Sequence, residues 1–313
     1  MKAVLVEHRG EAGSLKDIPT PHPAEHEILV RVTAASVNPI DWKSRDRGDR
    51  PLPFVLGQDF AGVVSATGAR VSKYREGERI FGVARRHGAF AEYTIVPEES
   101  RPEPVAKIPD DVGDADAAAL PTAGLTALAA VEWLAIAPGS TLLVVGATGG
   151  VGSFALQIGR DRGARVIAVA RSSNEGLARS LGAQEFVAYD TDDVHAALKA
   201  AHPRGVDAVL DLVSDSDGLK ALADLVRRDG RVVSTIGAAD VDWFAQRYVA
   251  AQNVVMNQTP QSSHAGLRAL LELLEQQRMR VVIAGERPLA ETVEALDESK
   301  RGSVNGKIVI TVD

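Results

Sequence analysis

The sequence predicts an α/β protein in two parts, a β-rich N-terminal region and a doubly wound parallel sheet covered by helices. Three observations predict it. Up to about residue 112, short β-type runs alternate with Pro, Gly and Asp punctuation. From Thr141 onward, apolar runs of buried-strand type alternate with amphipathic helical stretches. At 142–152, "LLVVGATGGVG" runs four apolar residues straight into a glycine-rich turn.

In the first part, strands are expected at 3–6, 27–35, 62–67, 79–83 and 91–96, forming a twisted, barrel-like region. In the second, TLLVVGA (141–147), ARVIAVA (164–170), EFVAY (185–189), VDAVLDLV (206–213) and GRVVSTIG (230–237) read as strands. Helices begin near Gly150, Asn174, Asp192 and Asp217, each with capping or acidic first-turn residues. Crossovers of that length enforce right-handed βαβ units. A helix (262–277), a short strand (280–283), another helix (289–300) and a last strand (GKIVITV, 306–312) follow. The β character of that last strand returns the chain to the N-terminal region. The domains are therefore expected at 1–112, completed by 285–313, and at 113–284.

Composition narrows the function. A net charge of -7 with both signs interspersed gives no face for a phosphate backbone, so nucleic acid is not an expected partner. Zero cysteines exclude disulfides, thiolate-bound zinc, iron-sulfur clusters and cysteine nucleophiles. Redox chemistry then needs a borrowed cofactor. No apolar stretch approaches the roughly 20 residues that span a bilayer, so a cytoplasmic protein without membrane partners is expected. The seven histidines (8, 22, 26, 87, 195, 202, 264) show no metal-ligand spacing.

The glycine turn sits where a strand feeds a helix, since Val151, Phe154, Ala155 and Ile158 keep helical spacing. Unpaired N–H groups and the positive end of the helix dipole attract a pyrophosphate there. Aligned with the dinucleotide fingerprint, the three glycine places fall at Ala147, Gly149 and Gly152. Ala147, Thr148, Gly149, Gly150, Val151 and Gly152 form the candidate cradle. A merely structural turn is the alternative.

The coenzyme is read at the end of the second strand. An NAD site places Asp or Glu there, and an NADP site supplies a cation for the 2′-phosphate. Here the residues are Ala170-Arg171-Ser172-Ser173-Asn174, with no carboxylate. Arg171 and Ser172 point to NADPH, against the bland reading of a solvated loop. Leu212, Val213 and Ser214, and Ile236 and Gly237, end the fourth and fifth strands, where open α/β sheets bind ligands.

The segments "ASVNPIDWK" (35–43), "VLGQDFAGVV" (55–64), "GERIFG" (77–82), "GAFAEYTIVP" (88–97), "LPTAGLTAL" (120–128), "VVGATGGVG" (144–152) and "NGKIVI" (305–310) resemble, in order, the medium-chain dehydrogenase/reductase superfamily. They look most like its zinc-free quinone oxidoreductase branch, the ζ-crystallin-like one. The resemblance implies a GroES-like β-rich catalytic domain, a Rossmann doubly wound parallel-sheet cofactor domain, an active-site cleft between them and a homodimer formed through the Rossmann sheets. Zinc-dependent members carry cysteine at the place of Asn38 and histidine-glutamate at the place of Gln58-Asp59. The segment 98–104 is too short, and lacks the cysteines, for a structural-zinc lobe. No metal is therefore expected.

Without a Lewis acid, alcohol oxidation is disfavoured. Hydride transfer from NADPH to a quinone or an α,β-unsaturated carbonyl needs only positioning and a donor for the developing oxyanion. Asn38 either hydrogen-bonds a substrate carbonyl or only ends a strand before Pro39. Asp41 orients a ribose, relays a proton or caps a helix. By resemblance, Thr122 and Thr126 lie near the nicotinamide, Tyr189 flanks the adenosine phosphate region, and Asn305 and Lys307 reach the nicotinamide end. Helix capping at Thr122 and a plain turn at Asn305-Gly306 are the alternatives. Trp42, Phe60, Phe81, Arg86, Trp243 and Tyr248 are candidate pocket walls. The stretch 240–251 resembles the variable segment that closes over the cleft. Quinone reduction leads, enone or enoyl reduction is the nearest alternative, and a non-catalytic NADPH-binding redox sensor is a third.

Overall fold

The computed structural model describes every residue except Asp49, Arg101, Pro102 and Ser303, so part of the 98–104 segment lies outside the described residues. The chain divides into two compact units. One comprises Met1–Leu125, Pro260–Glu275 and Val281–Asp313, and the other Thr126–Thr259 and Gln276–Arg280.

The first unit is built on a mostly antiparallel sheet whose strands lie in the order Ile283–Pro288, Lys307–Thr311, Glu27–Ser36, Asp59–Thr67, Arg79–Val83, Val105–Lys107. The ten-residue strand Glu27–Ser36 is its spine. Its N-terminal half pairs with Tyr93–Pro97 and its C-terminal end with Lys307–Thr311. Register shifts at Leu29/Val30 and Val32/Ala34 against Asp59–Thr67 bend this pair, as bulges do in curved sheets. Ile28, Val30, Val32, Phe60, Ile80, Phe90, Ile308 and Ile310 pack into one core. A smaller sheet joins Ser14–Asp17, Lys2–Val6 and Phe54–Val55. Ser14–Asp17 is exposed throughout and carries no alternation, which is why nothing in its pattern announces a strand.

The second unit is a six-stranded parallel sheet. From edge to edge the strands are Glu185–Ala188, Arg165–Ala170, Thr141–Val145, Val206–Asp211, Val226–Ser234 and Ala250–Asn253. Numbered along the chain, that order is 3-2-1-4-5-6, the doubly wound arrangement that binds dinucleotides where the winding reverses. The central strands are buried except near their N-terminal ends, as expected of a sheet covered on both faces. The first five match the expected strands to within a few residues, and the last strand, Lys307–Thr311, does return to the first unit.

One expectation is corrected. The strand expected at 280–283 starts only at Ile283. Arg280 donates its N–H to Gln157 Oε1 (2.9 Å) and its carbonyl accepts from Gln157 Nε2 (3.0 Å), so a helix side chain takes the backbone groups a strand would need. The stretch 240–251 forms the crossover to the sixth strand, with the short helix Val241–Ala245 capped by the Asp240 carboxylate, which accepts from Trp243 N–H.

Candidate active site

In the first unit, five polar side chains that the chain separates by up to 269 residues meet in the interior. Asn38 precedes the helix Pro39–Arg47, Asp59 opens its strand, Thr122 lies in the first turn of the helix Pro121–Trp133, and Lys307 begins the last strand. Asn38, Asp41, Asp59 and Lys307 are buried. Lys307 Nζ donates to Asn38 Oδ1 and to the Val37 carbonyl. That contact fixes the amide, so Nδ2 faces Asp59 Oδ2 at 2.9 Å and the Ser36 carbonyl at 3.4 Å. Asp59 also accepts from Thr122 Oγ1 (2.6 Å) and Thr122 N–H (3.0 Å), a carboxylate set on a helix N-terminus.

Asp41, in the first turn of its helix, accepts the Asn38 N–H at 2.8 Å through Oδ2. Its Oδ1 is buried with no hydrogen-bond partner among the described residues. Burial pushes the Asp41 carboxyl up to about 8, opposed by the Asn38 N–H and reinforced by the Asp59 charge. Burial likewise raises Asp59 and lowers Lys307, each partly restrained by the opposite charge of the other. Two carboxylates and one ammonium shut away from water would leave one negative charge uncompensated. A proton kept on Asp41 removes it.

In the second unit, the strand Thr141–Val145 turns through Gly146, at φ 81, into the helix Gly150–Asp161. The left-handed residue of the turn is thus Gly146, and Ala147 at the first fingerprint place is fully buried. A side chain at Gly152 would put its Cβ 2.4 Å from the Gly146 carbonyl oxygen, so close strand-helix packing requires glycine there. At Gly149 the nearest atom to a Cβ would be 3.5 Å away. The fold does not need glycine at 149, which leaves an approaching ligand as the reason for it. The first i→i−4 bond of the helix runs from Ser153 N–H to the Gly149 carbonyl, so the N–H groups of Gly150, Val151 and Gly152 precede the ladder. Thr148, buried, accepts from Asn174 Nδ2 at 3.2 Å.

The same C-terminal rim of the sheet carries the other expected coenzyme residues. Arg171 donates through Nε to the Tyr189 hydroxyl at 3.4 Å. Ser172 donates its N–H and Oγ to Asp190 at 2.7 and 2.8 Å. Tyr189, Val213 and Ile236 are 52%, 61% and 44% exposed, an apolar rim where the strands end. Two buried acceptors that the sequence reading overlooked hold these loops. Asp211 accepts from Val213 N–H, Ser214 N–H and Ser214 Oγ, keeping Leu212 and Val213 at the rim. Ser234 Oγ accepts from Ile236 and Ala238 N–H, bracing Gly237. The Asp211-to-Ser214 spacing was the available signal, since Asp at the head of a turn bonds the backbone two and three residues on.

The remaining candidates scatter. Phe60 and Phe81 are fully buried on strands of the first unit, whereas Trp42 is only partly buried against its core. Arg86 is exposed and pairs loosely with Glu27 at 3.8 Å. Thr126 is buried one turn beyond Thr122 on the same helix, and Asn305 precedes the last strand by two residues. Trp243, on the crossover helix, lies against the Arg247 guanidinium and the Lys220 ammonium. Tyr248 stacks on Arg228 two residues before the sixth strand, at the N-terminal end of the sheet, opposite the glycine turn. The crossover carries residues 240–249 from one end of the sheet to the other.

Among the described residues no group of three or more His, Asp or Glu side chains is placed to hold a metal ion, and no helix is long and apolar enough to cross a membrane.

A β-rich unit joined to a dinucleotide-type parallel sheet defines an oxidoreductase of the two-domain dehydrogenase class. Residues 24–110 match the alcohol dehydrogenase GroES-like domain and residues 181–310 a zinc-binding dehydrogenase family. The chain is 31% identical to the 2-methylene-furan-3-one reductase of Solanum lycopersicum over 99% of its own length and 79% of that protein's. It superposes on the quinone oxidoreductase of Coxiella burnetii with a TM-score of 0.89 at 30% identity, covering 100% and 99% of the two chains. A mycobacterial relative solved in complex with NADPH gives 0.87 at 26% identity, covering 99% of each. The chain belongs to the medium-chain dehydrogenase/reductase superfamily, in its quinone oxidoreductase branch.

Proposed function

We propose that the chain is a zinc-independent, NADPH-dependent quinone reductase. The observation that carries the zinc-independent part is the condition of Asn38 and Asp59. By resemblance, Asn38 stands at the place of a zinc-ligand cysteine and Asp59 at that of the glutamate after the ligand histidine, yet the Asn38 amide is engaged at both ends and Asp59 is saturated by Thr122 and Asn38. With Gln58 in place of histidine and no cysteine in the chain, the donor set does not suit a zinc ion.

NADPH fits the second unit. The N–H groups of Gly150, Val151 and Gly152 would take the pyrophosphate, with Gly149 leaving room for it. Arg171 and Ser172 would take the 2′-phosphate, and Tyr189, Val213 and Ile236 would cover the flat groups. The bound coenzyme supplies the hydride. The chain's contribution is to hold it and exclude water, while the first unit presents an internally neutralised polar network in place of a metal. Hydride transfer to a quinone gives a hydroquinone monoanion, which takes one proton from water, so no dedicated acid is demanded. Asn38, Asp41 and Thr122 are proposed as its catalytic-side residues, acting through the orientation that Lys307 and Asp59 impose.

The relationship to a 2-methylene-furan-3-one reductase favours a second reading, reduction of an activated C=C bond. The two separate cleanly. With 4-deuterated NADPH, a quinone yields hydroquinone carrying no carbon-bound deuterium, whereas an enone gains one deuterium on carbon. Turnover of 1,4-benzoquinone that survives dialysis against a chelator is expected. Turnover confined to enones overturns the quinone reading, and activity that tracks stoichiometric zinc overturns the metal-free one. A small-molecule acceptor is the only partner proposed apart from a second copy of the chain, in a cytoplasmic setting. The short edge strand Ala250–Asn253, bonded on one side to Val226–Ser234, is the place where two sheets would join.

A further inference from the structure

The adenosine end of the proposed coenzyme site contains a carboxylate that a scan along the second strand does not find. The register pairs Ala170 with Ala188, so Arg171 comes to lie beside Tyr189 and Ser172 beside Asp190. The bond from Tyr189 N–H to the Ala170 carbonyl (3.1 Å) continues the ladder one step further. Asp190 then accepts twice from Ser172, Oδ1 from the N–H at 2.7 Å and Oδ2 from Oγ at 2.8 Å. All four residues are exposed.

Ser172 brings two donors of the kind a 2′-phosphate would take, and Asp190 holds both. A carboxylate at this rim also opposes a phosphate dianion by like charge, partly cancelling what Arg171 offers. Toward a coenzyme without that phosphate the same group is an asset. An acidic side chain here accepts from the ribose 2′-hydroxyl, and beyond the two Ser172 bonds and its own N–H the Asp190 carboxylate keeps acceptor capacity.

We propose that Asp190 is a coenzyme-specificity residue that restrains the preference for NADPH by occupying the Ser172 donors and that lends NADH an acceptor, making this a dual-coenzyme enzyme. The proposal rests on the NADPH reading above and moves the deciding acid from the second strand to the third.

The test is calorimetric titration with adenosine 2′,5′-bisphosphate and with 5′-AMP, which report the adenosine end without turnover. In the isosteric variant Asp190→Asn, the bisphosphate is expected to bind about tenfold tighter relative to 5′-AMP, the worth of one charge-assisted hydrogen bond. The ratio of kcat/KM for NADPH over NADH, with 1,4-benzoquinone as acceptor, should move the same way. A ratio that stays level or falls overturns the proposal. A gain of equal size in the Ser172→Ala background overturns the donor-occupancy mechanism, because the two changes should then couple. Arg171→Ala tests the parent reading separately. If it leaves the bisphosphate preference intact, the NADPH assignment to this rim fails, whatever Asp190→Asn does.

Discussion

Asp41 and Lys307 are costly residues, and the cost is measurable. Asp41 has its carboxyl pushed up to about 8 by burial, so the folded chain keeps a proton that the unfolded chain releases near pH 4. A pKa raised on folding gives stability that is complete below the unfolded value and is lost as pH climbs through the folded one. The unfolding free energy from denaturant titration should therefore fall between about pH 4 and 8, by an amount on the order of a few kcal/mol. Asp41→Asn should flatten that slope, and a slope that survives the substitution would remove Asp41 as its source. Lys307→Met leaves Asp59 buried without its counter-charge and should cost about 3–5 kcal/mol in the same measurement at pH 7. The sequence displayed both residues but not their meeting. Nothing local links Asn38 to Lys307, and their contact exists only because the last strand runs beside Glu27–Ser36.

At the scale of the element, the glycine turn separates two kinds of glycine that look alike in sequence. Gly152→Ala forces a Cβ against the Gly146 carbonyl and should lower the melting temperature by several degrees, a loss of about 1–3 kcal/mol. Gly149→Ala meets nothing closer than 3.5 Å and should melt near the wild-type temperature while losing about tenfold or more in NADPH affinity by fluorescence titration. Equal thermal effects in the two variants would erase the distinction. The parallel strands were legible because burial on both faces leaves continuous apolar runs, as in Thr141–Val145 and Arg165–Ala170. Illegible elements had a different physical basis. The helix Pro39–Arg47 buries Asp41 and Arg45 instead of an apolar stripe, and Asp190 reaches the coenzyme rim across a strand pairing. The direction of the 240–251 crossover, which carries Tyr248 away from the glycine turn, likewise depends on topology.

For the whole molecule, the proposed pairing through Ala250–Asn253 predicts a sedimenting species of twice the 33.1 kDa chain mass, and a species at the single mass across micromolar concentrations would refute it. The order of the two units along the chain has a further consequence. The parallel sheet is assembled almost entirely from the continuous span Thr126–Thr259, whereas the β-rich unit needs segments from both sides of that span. During synthesis the nucleotide-type sheet has all its strands before Lys307–Thr311 is made, and until then Asp59 and Asn38 lack their ammonium and Glu27–Ser36 lacks a neighbour. The early residues must therefore wait, incomplete, for a strand delivered last. A ribosome halted shortly before Gly306 would release a chain able to form its sheet of six strands but unable to neutralise the polar centre of the other unit. Quality control would then act on a half-built enzyme already equipped to bind nucleotide.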